Sequence, residues 1–294
     1  MSDACPFGKI AIVGLGVMGG SLLLGLRKNG FTGTIITLAD SKNSRDWAMS
    51  HGANQTVQHL NELSADTEFV IFAVPQSALQ DLLAQIPAHK NQTTLWTDVS
   101  STKKMLLDAV DRLLPGISYL SCHPMCGSEK TGHAGASSSL YDHKTVILTP
   151  HSTTAYAHIQ KLGAFWKFMQ ARTLTMDPAM HDASVAWVSH LPHLVSAALV
   201  KAIAKGESDN PDLFTAAGTG LRDISRLAAS NPKLWREIIS DNQQPVLKTL
   251  RAMSDELDKL VHIIENLPSN KGLHLEHYLE DARKIHGLKK LERT

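Results

Sequence analysis

Three glycines, Gly14, Gly16 and Gly19, stand in a G-x-G-x-x-G spacing directly after a short β-branched run and at the head of an apolar, helically spaced stretch ending at Gly30. Each has its own use at a strand-to-helix turn. The first permits the tight turn, the second lets a pyrophosphate reach the backbone, and the third lets helix and strand pack closely, with the phosphates on the helix N-terminus. The candidate cofactor-binding residues are therefore Gly14, Gly16, Val17, Met18 and Gly19; a Walker-type loop is excluded, because no Gly-Lys-Ser/Thr follows. In such sites an acidic residue about 20 positions on takes the ribose 2′-hydroxyl of NAD, whereas a cation accommodates the 2′-phosphate of NADP. Asp40 stands at that distance with Ser41 beside it and Lys42 and Arg45 close behind, so the segment favours NAD and leaves NADP open.

His123 follows an extended run in a loop punctuated by Pro124, Gly127 and Gly132, and Ser128 and Glu129 belong to the same loop. Loops at the C-terminal strand ends of an open α/β sheet are where ligands gather, and a neutral imidazole there is a suitable general base. Ser101, in the segment from Asp98 to Lys103, either caps a helix or offers its hydroxyl to the same crevice. Farther on, His190 and His193 share one helix face, with Ser189 next to them and Pro192 expected to kink the helix. With no third His or carboxylate at ligand spacing, hydrogen bonding suits this pair better than metal, and no metal is expected. Arg222 and Arg226 are four apart at a helix start; one guanidinium suits bidentate carboxylate recognition and the other an ordinary surface ion pair.

The elements that must hold these groups follow from periodicity. Extended runs at residues 34–39, 69–74, 94–99, 117–121 and 145–148 alternate with amphipathic stretches such as 77–86 and 102–113, the pattern of a mostly parallel sheet covered on both faces. After Pro150 one more extended stretch, 172–176, leads into long helical patterns at 179–205, 232–266 and 273–286. The fold class is thus α/β, an N-terminal Rossmann doubly wound sheet with an all-α C-terminal half. The boundary falls between residues 150 and 177, which divides the chain into 1–170 and 171–294. Helices this long bury an apolar stripe against something, and a homodimer through the second half is expected.

Composition narrows the partners. The chain has 294 residues with a formal net charge of +1, which gives no reason to expect nucleic acid. No stretch reaches ~20 consecutive apolar residues, and the N-terminus lacks a basic region before an apolar run, so neither a membrane span nor export is expected. The three cysteines, Cys5, Cys122 and Cys126, lack zinc spacing and read as reduced, buried thiols of a cytoplasmic protein. The 15 histidines are the unusual count, and they supply candidates for proton chemistry.

GLGVMGGS, TDVSSTK, HPMCGSEKTG, HDASVAWVSHLPH and LRDISRLAASNPKLW together resemble, in that order, the prephenate/arogenate dehydrogenase family of tyrosine biosynthesis, over about residues 8 to 265. The resemblance implies a Rossmann domain, a helical dimerisation domain, and oxidative decarboxylation of prephenate to 4-hydroxyphenylpyruvate or of arogenate to tyrosine. It implies that His123 is the catalytic histidine and that Ser101 orients it and the substrate hydroxyl. It further implies that Arg226 binds a substrate carboxylate, that His193 and Ser189 contact substrate, and that Ser128 and Glu129 line the pocket. His193 tilts the substrate toward prephenate. The family's ribose-reading Asp aligns on Ala39, one place before Asp40, and Cys126 stands where a small or aromatic residue is usual. Other NAD(P) oxidoreductases that open on the same glycines, such as β-hydroxyacid dehydrogenases and pyrroline-carboxylate reductases, are the nearest alternative, and a non-enzymatic nucleotide sensor is another.

Overall fold

The structure, a computed structural model, describes residues 4–86, 94–128, 130–151, 154–207, 210–270 and 272–288. The N-terminal half opens with β1 (Lys9–Val13), α1 (Val17–Lys28), β2 (Thr34–Leu38), α2 (Lys42–Ser50) and β3 (Gln55–Val57). It continues with β4 (Phe69–Phe72), α3 (Gln76–Leu83), β5 (Leu95–Asp98) and α4 (Lys104–Leu113). The five strands form one parallel sheet in the order β3-β2-β1-β4-β5. The sequence pattern lacks β3, a short Gln-Thr-Val edge strand whose pairing with β2 rather than its hydrophobicity makes it a strand.

Period-two alternation builds the layers. Ile10 and Ile12 of β1, with Phe69 and Ile71 of β4, enter one core with Leu22, Leu23 and Leu26 of α1. Ala11, Val13, Val70 and Phe72 enter the opposite core with α3 and α4. Both faces of the sheet are therefore buried, which is why its strands read as continuous apolar runs.

A second sheet follows, made of β6 (Ser121–Pro124), β7 (Thr145–Thr149) and β8 (Arg172–Thr175), with α5 (Tyr156–Phe168) between the last two. β6 runs antiparallel to β7 and β8 parallel to it, and a bridge from Trp96 to Tyr119 joins the sheets. The expected strand at 117–121 thus lies mostly before the observed one, and His123 sits in β6 opposite Ile147 rather than in the loop that follows. Backbone pairing fixes it more firmly than a loop would.

The helical half comprises α6 (Pro178–Val185), a π-helical turn (Ala186–His190), α7 (Leu191–Gly206), α8 (Thr219–Ser225), a 3-10 turn (Arg226–Ala229), α9 (Pro232–Asp241), α10 (Gln243–Glu265), α11 (Leu267–Asn270) and α12 (Leu273–Leu288). Pro192 does not break its helix: the π turn just before it widens the backbone by one residue per turn and accommodates the missing N–H. The expected single helix 232–266 divides at Asn242, which leaves helical geometry ahead of Pro245. The continuous run from Pro178 to Gly206 is long and apolar enough to cross a bilayer by length and composition. One face of it, with the buried His181, Asp182, His190 and His193, packs beside α4 and α9. Trp187, Val188, Leu257, Val261 and Ile264 are left exposed in the single chain.

Candidate active site

A cleft of about 380 Å³ runs from the glycine turn to α9, lined by Gly16, Val17 and Met18, by Ser100 and Ser101, by His123, and by Glu237 and Asp241. At its N-terminal end Gly14 has φ +94°, and a Cβ there would lie 2.6 Å from the Ala73 carbonyl oxygen. A Cβ on Gly19 would fall 1.8 Å from the Gly14 carbonyl oxygen, so this glycine is what lets α1 sit on the turn. Gly16 meets nothing within 4 Å and caps α1 without a side-chain hydrogen bond, which leaves room and donors for a pyrophosphate. The chain therefore fits a dinucleotide. Asp40 and Ser41 are exposed at the end of β2; Ser41 accepts from the Ser44 N–H at 3.1 Å, and Arg45 spends its Nη1 on the carbonyls of Ala39 and Asp40.

His123 lines the middle of the cleft and is 8% exposed. Burial, then the Lys103 ammonium and His181, drive its pKa well below the ordinary range, so the ring rests neutral and able to accept a proton. Its Nδ1 lies 2.9 Å from His181 Nε2, and His181 Nδ1 lies 2.8 Å from Asp182 Oδ1. Asp182 in turn accepts the Lys103 and Lys104 N–H groups, each at 2.9 Å, and so caps α4 from the helical half. Under the site, the fully buried Lys103 ammonium pairs with Asp98 at 2.6 Å and donates to the Cys122 carbonyl at 2.7 Å. Asp98 also accepts from Ser100, Tyr119 and Ser121, which makes this buried ion pair a closed one.

The structure brings His123, Ser101, Ser128 and the glycine turn to one cleft. Ser101 is not a helix cap, since α4 begins at Lys104 and its N–H groups go to Asp182. Ser128 is exposed and accepts from the Lys130 N–H at 3.1 Å, whereas Glu129 lies outside the described residues. His193 and Ser189 do not line the cleft of the single chain: His193 is buried with its ring stacked 3.5 Å from Trp235, next to the cleft residue Leu234. Its neighbour His190 takes a hydrogen bond on Nδ1 from Asn242 at 3.2 Å and is pushed down to about 4, chiefly by burial. Arg226 is exposed in its 3-10 turn and does not reach this cleft either; the turn packs on α7 where Ser196 accepts the Ala228 N–H.

Five residues escaped the sequence reading. His181 and Asp182 carried a local signal, an adjacent His-Asp pair at a helix start, but only the fold sets them behind His123. Lys130, Glu237 and Asp241 line the cleft without any spacing that would announce it. Cys122 is buried and its thiol is pushed up to about 12, whereas Cys5 and Cys126 are half-buried, less covered than expected; all three are free thiols. Among the described residues no three His, Cys, Asp or Glu side chains gather as a metal site.

Two family models account for nearly all of this architecture: the prephenate dehydrogenase nucleotide-binding domain matches residues 22–175, and the prephenate dehydrogenase dimerization domain matches residues 177–280. The chain belongs to the prephenate dehydrogenase family. It is 32% identical to the prephenate dehydrogenase of Bacillus subtilis over 264 residues, covering 87% of this chain and 70% of that one. The prephenate dehydrogenase of Aquifex aeolicus, solved with hydroxyphenyl propionate and NAD+, superposes with a TM-score of 0.85 at 29% identity, covering 96% of this chain and 97% of that one. Synechocystis arogenate dehydrogenase superposes with a TM-score of 0.76 at 29% identity over 95% and 99% of the two chains. The family is an NAD-dependent one with a Rossmann domain and a helical second domain, as the motifs implied.

Proposed function

We propose that this chain oxidises and decarboxylates prephenate to 4-hydroxyphenylpyruvate, with arogenate as the second substrate to test because an arogenate dehydrogenase shares the fold. The observation that carries the reading is a buried, neutral His123 in the cleft that begins at the dinucleotide turn. Bound at Gly14, Gly16, Val17, Met18 and Gly19, with Asp40 and Ser41 toward the adenosine ribose, NAD supplies the hydride acceptor. His123 takes the proton of the ring hydroxyl as the carbinol C–H leaves as hydride, so that C4 becomes a carbonyl. Loss of the ring carboxylate as CO2 then sends its electron pair into the ring, the carbonyl oxygen becomes a phenoxide, and His123 returns the proton. Aromatisation drives that step, so what the protein must do is position C4 and hold the proton.

Within this reading Ser101 orients His123 and the hydroxyl, Ser128 lines the substrate end, and Arg226, His193 and Ser189 serve the substrate's carboxylates from the helical half. The nucleotide-binding unit then runs through β8, whose pairing with β7 carries the sheet past residue 170 to Thr175, and the helices after it are the dimerising unit. The exposed apolar residues of α10 and the π turn support a homodimer, and the free thiols support a cytoplasmic setting. Incubation of the purified protein with prephenate or arogenate and NAD+ or NADP+, followed by absorbance of the reduced nicotinamide, should show turnover that falls by ~10²-fold or more in His123→Asn. No turnover with any combination overturns the reading.

A further inference from the structure

We infer that His181 and Asp182 are positioning residues for the reaction proposed above: they form a buried relay that fixes which nitrogen of His123 is the base. The inference rests on that reading of His123 and adds the direction of every hydrogen bond behind it. Asp182 already accepts two backbone N–H groups at the head of α4, from Lys103 and Lys104, and a carboxylate can only accept. His181 Nδ1, 2.8 Å from Asp182 Oδ1, must therefore carry a hydrogen. A neutral imidazole holds one N–H, so His181 Nε2 is the lone-pair nitrogen and must accept from His123 Nδ1 at 2.9 Å. By the same count His123 Nε2 is left without a hydrogen, and it is the nitrogen outside the relay on a residue that lines the cleft.

The surroundings leave this polarity no competitor. His181 is fully buried, so water does not supply an alternative partner. The charged and titratable groups facing the two rings are Lys103 from the head of α4, Asp98 from the end of β5, Asp182 beside His181, and His190 from the π turn. Lys103 is spent on Asp98, Ser100 and the Cys122 carbonyl, and His190 on Asn242. Asp182 is thus the anion hydrogen-bonded to the relay. When His123 gains the substrate proton, its Nδ1–H bond to His181 becomes charge-assisted, and the Asp182 carboxylate offsets the new charge where Lys103 alone would oppose it. Because Asp182 caps α4, the relay also ties the helical half to the strand that carries His123.

The test uses two substitutions in the full-length protein and a spectroscopic measurement on the unsubstituted one. His181→Gln keeps an oxygen that can accept from His123 and an amide that can donate to Asp182; His181→Leu keeps bulk and removes both. The Leu variant should lose ~10²-fold in kcat with KM for prephenate and the NAD+ Kd nearly unchanged, and the Gln variant should recover most of that loss. Nitrogen-15 histidine spectra of the unsubstituted protein, assigned with His123→Asn, should show His123 protonated on Nδ1. Equal losses in both variants would make His181 a packing residue, an unaltered kcat in a folded Leu variant would remove it from the mechanism, and a hydrogen on His123 Nε2 would overturn the relay. Absence of turnover in the unsubstituted protein would instead fail the functional reading, and the tautomer measurement would still decide the relay.

Discussion

His190 makes the acid stability of this fold calculable. Its ring is 1% exposed and accepts from Asn242 on Nδ1, so protonation at that nitrogen would break the bond and charge a buried ring. Burial lowers its pKa from 6.5 to about 4. The unfolded chain therefore binds a proton below ~6.5 that the folded chain refuses until about 4. The stability this group contributes is fully present above the unfolded value and is lost as the pH falls through the window between the two. Across pH 7 to 5 the loss is about 2 kcal/mol from His190 alone. His123, His181 and His193 are also held below their ordinary values, first by burial, and act in the same direction. Urea unfolding followed by tryptophan fluorescence at pH 7, 6 and 5, at one protomer concentration, gives the slope. In His190→Gln the amide oxygen can still accept from Asn242 but does not titrate, so the drop between pH 7 and 5 should shrink by about 2 kcal/mol. Equal slopes in the two proteins would refute the argument, because His181 and His193 remain in both.

Gly19→Ala places a methyl against the Gly14 carbonyl, and opening the turn should weaken NAD+ binding ~10-fold or more; calorimetric titration with an unchanged Kd would remove the turn from cofactor binding. Lys103→Met leaves the buried Asp98 carboxylate to the hydroxyls of Ser100, Tyr119 and Ser121, and the loss in unfolding free energy should be about 3 kcal/mol. A loss under ~1 kcal/mol would show that the hydroxyls alone hold the charge. Arg226→Ala should raise KM for prephenate ~10-fold with little change in kcat, since a carboxylate held in ground and transition states alike gives uniform binding; a normal KM would make Arg226 a surface residue.

Local chemistry was legible in the sequence wherever neighbours along the chain are also the partners in space. The G-x-G-x-x-G turn is of this kind: Gly19 meets the carbonyl of Gly14, five positions away, and the strands on either side announce themselves by apolar runs because both faces of their sheet are covered. His123 could be singled out by its motif, though the strand that holds it depends on pairing with β7, more than 20 residues on, and lies later in the chain than the local apolar run. What only the tertiary structure decided is what stands behind and beside that histidine. His181 lies 58 positions away, Asp182 caps a helix of the other half, and Lys103 is neutralised by a strand end. Pro192 and Asn242 make the same point for helices: propensity marks where a helix is weakened, but a π turn absorbed one defect and an amide bonded to Asp182 and His190 turned the other into a corner. Spacing records contacts within a turn or two of chain; burial, tautomer and charge compensation are set by residues the chain brings back from far away.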